Sequence, residues 1–261
     1  MIIDCHTHIF PEKVVENAMG SLGEMYGVAP VVMPTADNLR AHMDECGVDK
    51  SVICPVATKP DQVPSINRWV AGLDRKRIIP FGALHPAYKD NEGEIEFLLD
   101  SDIRGIKLQP FFQHFELITD ATDRLLNQVG DRLFIIMHAG DEMVHQEHIE
   151  PNPQRLAKLV EMYPFLRMSA AHLGGYRVWD DVEEHLVGRE LYFDLSYTFN
   201  QASDERIMRV IENHGYERIL WASDFPWQSQ CESLEGLKRL PLTDEVKQDI
   251  LSGNIRREIG L

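Results

Sequence analysis

The fold class this sequence predicts is a (β/α)8 barrel, one α/β domain over residues 1–261. Three observations carry it. The chain has 261 residues, a length at which α/β barrels run as one unit, and no linker, repeat or low-complexity tract divides it. Eight apolar runs of strand length recur, each followed by a segment with helical spacing. The runs are almost continuously apolar, as in a parallel sheet covered on both faces. A doubly wound open sheet is the competitor. It is disfavoured because no G-x-G-x-x-G follows the first run and eight units exceed what such sheets usually carry.

The first strand is Ile2–His6, with Pro11 as its stop. The connection after it holds Pro11, Gly20, Gly23, Gly27, Pro30 and Pro34 and reads as too turn-rich for one helix. Thr35 then suits an N-cap, Leu39, Met43 and Cys46 share an apolar face, and Gly47 is a stop. Strands two to eight are Ser51–Val56, Ile78–Leu84, Ile103–Leu108, Leu133–His138, Arg167–His172, Leu191–Leu195 and Ile219–Ser223. Between them helices are expected at Ile66–Leu73, Glu92–Leu99, Thr122–Val129, Pro153–Tyr163, Trp179–Leu186 and Asp204–Asn213. Pro153 fits a helix start. Leu234–Leu240 and Asp244–Ile259 finish the chain.

Lys and Arg number 26 against 42 Asp and Glu, a net charge of −16. That disfavours nucleic acid and anionic membranes as partners and leaves a small-molecule substrate; a homodimer is compatible with it. Cys5, Cys46, Cys54 and Cys231 are scattered without a C-x-x-C pair, so reduced thiols in a cytoplasmic protein are expected. No signal peptide and no apolar run of membrane-spanning length is visible.

Active sites of such barrels lie at the C-terminal ends of the strands. The first strand ends in His6 and His8, two imidazoles that share a face when side chains alternate with period 2 and can grip one divalent metal. Asp4 is expected on the same face, one step deeper, and Cys5 opposite. The fourth strand carries Lys107, the fifth ends in His138, the sixth in His172 and the eighth in Asp224. A histidine satisfied by backbone explains any one of these but explains four together poorly.

This order resembles the amidohydrolase superfamily: H-x-H on strand one, Lys or Glu on strand four, His on strands five and six, Asp on strand eight. The phrases Asp4–His8, Gly105-Ile106-Lys107-Leu108 with Pro110, Ala171-His172-Leu173-Gly174-Gly175, Ser223-Asp224-Phe225-Pro226 and Gly253-Asn254 resemble the subgroup labelled amidohydrolase family 2. It holds hydrolases, decarboxylases and hydratases, among them aminocarboxymuconate-semialdehyde decarboxylase. The resemblance implies that His6, His8, His138 and Asp224 hold one divalent metal. Zinc is the first choice; manganese, nickel or iron would use the same ligands. It implies Asp224 as base and His172 as a group that polarises substrate or shares in proton transfer. Lys107 has three readings: a carbamylated bridge between two metals, a free cation that holds a substrate carboxylate together with Arg177 and His172, or a structural partner of Asp4. The expectation taken forward is one metal and an unmodified Lys107. The expected activity is hydrolysis of an amide, ester or lactone of a small carboxylate-bearing substrate, with decarboxylation of an unsaturated or aromatic acid as the alternative.

Lesser candidates are His145 and His148 after strand five, and the aromatics Phe111, Phe112, Phe115, Tyr176, Trp179 and Trp227 as walls for a planar substrate. His85 ends strand three without a ligand role. His42, His185 and His214 fall in helices, outside the site.

Overall fold

A computed structural model of the chain describes residues 1–144 and 151–261. Among the described residues the apolar runs form nine short strands, every pair of hydrogen-bonded neighbours parallel. They are β1 (Ile3–Thr7), β2 (Lys50–Ile53), β3 (Ile78–Pro80), β4 (Gly82–Ala83), β5 (Gly105–Leu108), β6 (Phe134–Met137), β7 (Met168–Ala170), β8 (Tyr192–Asp194) and β9 (Ile219–Leu220). β1 to β3 form one ladder and β4 to β9 another, in chain order. The expected third strand is thus split at Phe81, whose N–H donates to Ile53 O at 3.1 Å.

The last strand returns to the first. Cys5 N–H donates to Trp221 O at 3.1 Å, Asp224 N–H to His6 O at 2.9 Å and His8 N–H to Phe225 O at 2.7 Å. Eight strand positions are therefore joined in a ring, as the barrel reading requires. Phe134 and Ile136 cluster inside it with Ile3, Val52, Phe81 and Leu220. Ile135 and Met137, one residue out of phase, pack in the outer core that the helices cover.

β1 departs from simple alternation. Its pairing with β2 shifts register between Asp4 and Thr7, and such an irregularity re-aims side chains. Cys5 joins the inner cluster. Asp4 instead accepts from Ser223 N at 3.0 Å, Ser223 Oγ at 2.5 Å and Gln230 Nε2 at 2.8 Å. The expectation that Asp4 lies below His6 on the cavity face is corrected, and so is its pairing with Lys107.

A second correction concerns the connection after β1. It contains the helix Glu12–Tyr26, begun by Pro11 and ended by Gly27 in the left-handed region, φ 66°. Only Gly20 and Gly23 fall inside it. Each costs about 1 kcal/mol relative to Ala, which burial of Val15 and Met19 offsets. Thr35 caps the next helix, Ala36–Cys46, by accepting from Asn38 N at 3.2 Å, and Gly47 ends it. The expected last helix runs as Asp244–Gln248, a wider turn over Asp249–Gly253, and Asn254–Ile259.

The third correction is chemical. Cys46 and Cys231 form a disulfide, Cα atoms 4.8 Å apart, while Cys5 and Cys54 are free and buried. The helices Ala36–Cys46 and Gln230–Arg239 lie side by side outside the junction of β9 and β1, so ring closure makes neighbours of two cysteines 185 residues apart. Among the described residues no helix is long and apolar enough to cross a membrane.

Candidate metal centre

At the C-terminal ends of the strands the ring opens into a cavity of about 700 Å³ whose lining includes His6, His8, Lys107, His138, His172 and Asp224. All six strand-end positions singled out in the sequence thus meet in one place.

The rings are held in a common sense. His6 Nδ1 lies 3.1 Å from the buried carboxylate of Asp194. His8 Nδ1 is 2.8 Å from the carbonyl of Cys54. His138 Nε2 is 3.2 Å from the carbonyl of Asp141, and His172 Nδ1 is 3.0 Å from that of Ser196. A carbonyl or carboxylate oxygen only accepts, so each of these nitrogens carries the ring proton in the neutral form. The opposite nitrogen of all four rings is therefore a lone pair. Those of His6 and His8 lie 3.6 and 3.2 Å from Asp224 Oδ1, and His6, His8 and Asp224 place three donor atoms within 4.8 Å of one another. His138 Nδ1 and His172 Nε2 face each other at 3.1 Å. Two lone pairs so close repel unless a cation or an added proton lies against them. The donor set of imidazole nitrogens and one carboxylate suits a zinc-like or manganese-like ion, and oxygen partners behind the histidines are the usual way of orienting such ligands.

Backbone geometry supports this. His172 and Asp224 adopt left-handed conformations, φ 60° and 69°, rarely populated by non-glycine residues and concentrated at functional sites. Gly140, φ +87°, lets the loop after β6 approach the loop after β7: a Cβ there would lie 2.2 Å from Tyr176 N. Trp179 Nε1 donates to His172 O at 3.1 Å and fixes the second loop.

Lys107 is buried, with Nζ 2.8 Å from His6 Nε2. Its amine donates into the lone pair a metal would use. Burial lowers its pKa. Burial also lowers the pKa of His6, to about 4, with Lys107 adding to the effect, and depresses His138 and His172. Burial alone would raise Asp224, but the bond to His8 and the charges of His6 and His172 hold it below the ordinary carboxylate range.

Two acids not singled out by the sequence reading complete the surroundings. Asp194 accepts from His172 N at 3.2 Å and Ser196 N at 3.0 Å besides fixing His6. Glu142 accepts from Tyr26 Oη at 2.8 Å and Gln109 Nε2 at 2.6 Å, with His138 Nε2 at 3.1 Å. Burial raises its pKa to about 7. Asp194 ends β8, a strand without a terminal histidine, and Glu142 lies in a loop whose path no periodicity predicts. Their only signal is residue type: Asp194 stands inside the expected run Leu191–Leu195, and Glu142 in the loop after His138.

Arg177 is exposed. Its guanidinium lies 4.9 Å from the Tyr176 ring and points at the carbonyls of Glu142 and Met143 at 3.4 Å, not into the cavity, which corrects its expected place beside the substrate. Phe112, Tyr176 and Trp227 line the cavity, joined by Tyr26, Trp69 and Tyr197; Phe111, Phe115, Trp179 and His85 do not. His145 and His148 lie outside the described residues.

Comparison with known proteins agrees with this picture. A sequence family described as Amidohydrolase matches residues 3–261. Similar solved structures include 5-carboxyvanillate decarboxylase from Sphingomonas paucimobilis, with a TM-score of 0.75 and 14% identity over 100% of this chain and 99% of that one. A putative amidohydrolase from Staphylococcus aureus has a TM-score of 0.74 and 16% identity, covering 100% and 99%. A dihydroxybenzoic acid decarboxylase from Polaromonas sp. JS666, with bound manganese and the inhibitor 2-nitroresorcinol, has 0.75 and 13%, covering 100% and 97%. No curated protein matches the chain by sequence.

Proposed function

The chain belongs to the amidohydrolase family, and from that premise we propose that it is a metal-dependent hydrolase acting on an amide, ester or lactone of a small, flat, carboxylate-bearing molecule. The observation that carries this reading is the convergence of four imidazole lone pairs and Asp224 on one cavity.

His6, His8, His138 and Asp224 would hold one divalent ion. Such an ion supplies Lewis acidity and a bound water with a pKa of about 7. Asp224, kept ionised by its histidine neighbours, accepts a proton from the attacking water at a carboxylate oxygen. His172 Nε2 lies on the cavity side, with Nδ1 secured at Ser196. Protonated from solvent, it donates a hydrogen bond to the oxyanion that develops as the carbonyl carbon becomes tetrahedral, and Asp224 returns the proton taken from water to the leaving nitrogen or oxygen as its bond to carbon breaks. Lys107 Nζ is the cation that meets the substrate carboxylate. The aromatic side chains of Tyr26, Phe112 and Trp227 meet edge to face and form an apolar wall that excludes bulk water.

A second reading is decarboxylation of an aromatic acid. The apolar wall favours it, because loss of hydration there raises the energy of the localised carboxylate more than that of the charge-dispersed transition state. Aromatic-acid decarboxylases are among the proteins that share this fold.

One experiment separates the readings. Chelator-stripped protein is reloaded with zinc or manganese and offered aryl amides, esters, lactones and aryl carboxylates. A new acid without carbon dioxide supports the hydrolase; carbon dioxide supports the lyase. Failure of the reloaded protein to retain more than about 0.2 metal per chain, or full retention by a His6→Ala/His8→Ala double variant, overturns both, since losing two ligands leaves too few to hold the ion.

A further inference from the structure

On the outer side of the seam between β9 and β1, His42, Cys46 and Cys231 bring two sulfurs and one ring nitrogen within 4.8 Å of one another. His42 is buried and the cysteines are half-buried. The proton of His42 can be placed. The backbone N–H of Gln230 donates to His42 Nε2 at 3.2 Å, so Nε2 is a lone pair and Nδ1, 3.6 Å from Glu45 Oε2, carries the hydrogen. The lone pair also meets Ser229 Oγ at 3.2 Å and lies 3.6 Å from Cys46 Sγ. A carboxylate behind the protonated nitrogen is how ligating imidazoles are commonly oriented.

We propose that these three residues form a second metal site, open only when the disulfide is reduced, that takes a zinc-like ion through two thiolates and one imidazole. Two electrons and two protons pass from an external dithiol, which leaves as its own disulfide, and Cys46 and Cys231 become thiols. Each thiol then loses its proton as its sulfur takes the metal. The sulfurs part to roughly 3.8 Å, the edge of a tetrahedron with 2.3 Å metal–sulfur bonds. The ion replaces the two 3.2 Å hydrogen bonds at Nε2 and leaves the fourth corner to Ser229 Oγ or water. Soft thiolates select zinc over magnesium or calcium. The disulfide and the metal are alternative clasps between the same two helices.

The test uses cobalt as probe. The ligands proposed for the cavity metal offer only nitrogen and oxygen, and Cys54, which also lines the cavity, is controlled for by the Cys46→Ser/Cys231→Ser variant, so a sulfur-to-cobalt charge-transfer band lost in that variant reports the second site. Full-length protein is stripped with chelator, reduced without oxygen and titrated with Co²⁺. The band is expected to be complete by two equivalents of cobalt, one for the cavity and one for this site, to vanish on adding Zn²⁺ and to be absent from the oxidised protein. It should also be absent from reduced Cys46→Ser/Cys231→Ser protein, and His42→Ala should weaken binding more than about tenfold. No band at saturating cobalt overturns the proposal. So does a band that survives in the double serine variant, where buried Cys5 and Cys54 would be its source, or binding unchanged in His42→Ala. Loss of native far-ultraviolet circular dichroism on reduction also overturns it, because the site needs both helices in place.

Discussion

Asp194 makes no contact with the substrate in this scheme, yet it decides which nitrogen of His6 is free. Its carboxylate accepts at His6 Nδ1 and leaves Nε2 as the lone pair. In Asp194→Asn the amide can still accept from His172 and Ser196, but its NH2 group faces His6. The imidazole then protonates Nε2 instead, and the ligand is lost. Metal affinity is expected to fall about 10–100-fold with native circular dichroism retained; unchanged affinity in a chelator competition would remove Asp194 from the site. Lys107 is a separate case. A cation that meets the substrate carboxylate contributes about 1.5–3 kcal/mol, so Lys107→Ala should raise KM roughly 10–100-fold and leave metal content near wild type. If the variant instead loses one equivalent from an initial two, and bicarbonate restores activity to stripped wild-type protein, the lysine is a carbamate bridge. The strand-end histidines, the lysine and Asp224 were legible in the sequence because together they stand at or near strand ends in one family's order. Asp194 and Glu142 were not, because what they do depends on which ring faces them.

Elements show the same division. Apolar runs located all eight strand positions, since burial on both faces leaves little choice of residue, and Thr35 and Gly47 bounded a helix by capping chemistry alone. The helix Glu12–Tyr26 was hidden by its glycines, because propensity is a weak guide once tertiary packing supplies the stability. The orientation of Asp4 was hidden by a register shift within β1. His214, correctly set apart from the site, shows what an element asks of a buried histidine. It ends the helix Asp204–His214, stacks on Phe193 with centroids 3.8 Å apart, and has Nε2 2.9 Å from Leu191 O while Nδ1 accepts from Gly188 N at 3.1 Å. Burial lowers its pKa from 6.5 to about 4. The unfolded chain then binds the proton first, so stability rises with pH between about 4 and 6.5 and is lost as pH falls through that window. Between about pH 7.5 and 5, wild type should lose about 2 kcal/mol more than His214→Gln, read from urea unfolding of both proteins. Parallel pH dependence of the two would mean that His214 titrates normally.

Taken whole, the molecule has one junction on which both chemistry and stability turn. β1 and β9 are joined by few backbone hydrogen bonds, and the same junction presents His6 and His8 on one side and Asp224 on the other. A metal bound to all three is a clasp across the seam at the mouth of the barrel. The disulfide is a clasp on its outside, tying Ala36–Cys46 to Gln230–Arg239. Its cysteines are 185 residues apart, so restricting the unfolded chain is worth up to about 5 kcal/mol by loop closure and about 2–4 kcal/mol in typical cases. Reduction of metal-stripped protein should therefore lower the urea midpoint by an amount equivalent to about 2–4 kcal/mol, and Cys46→Ala/Cys231→Ala should reproduce the loss without reductant. With the cavity metal restored, the same reduction should cost as much as in the stripped protein, because the disulfide restricts the unfolded chain whereas the metal binds the folded one. A smaller loss with zinc present than without it would show instead that an ion takes over from the disulfide at Cys46, Cys231 and His42.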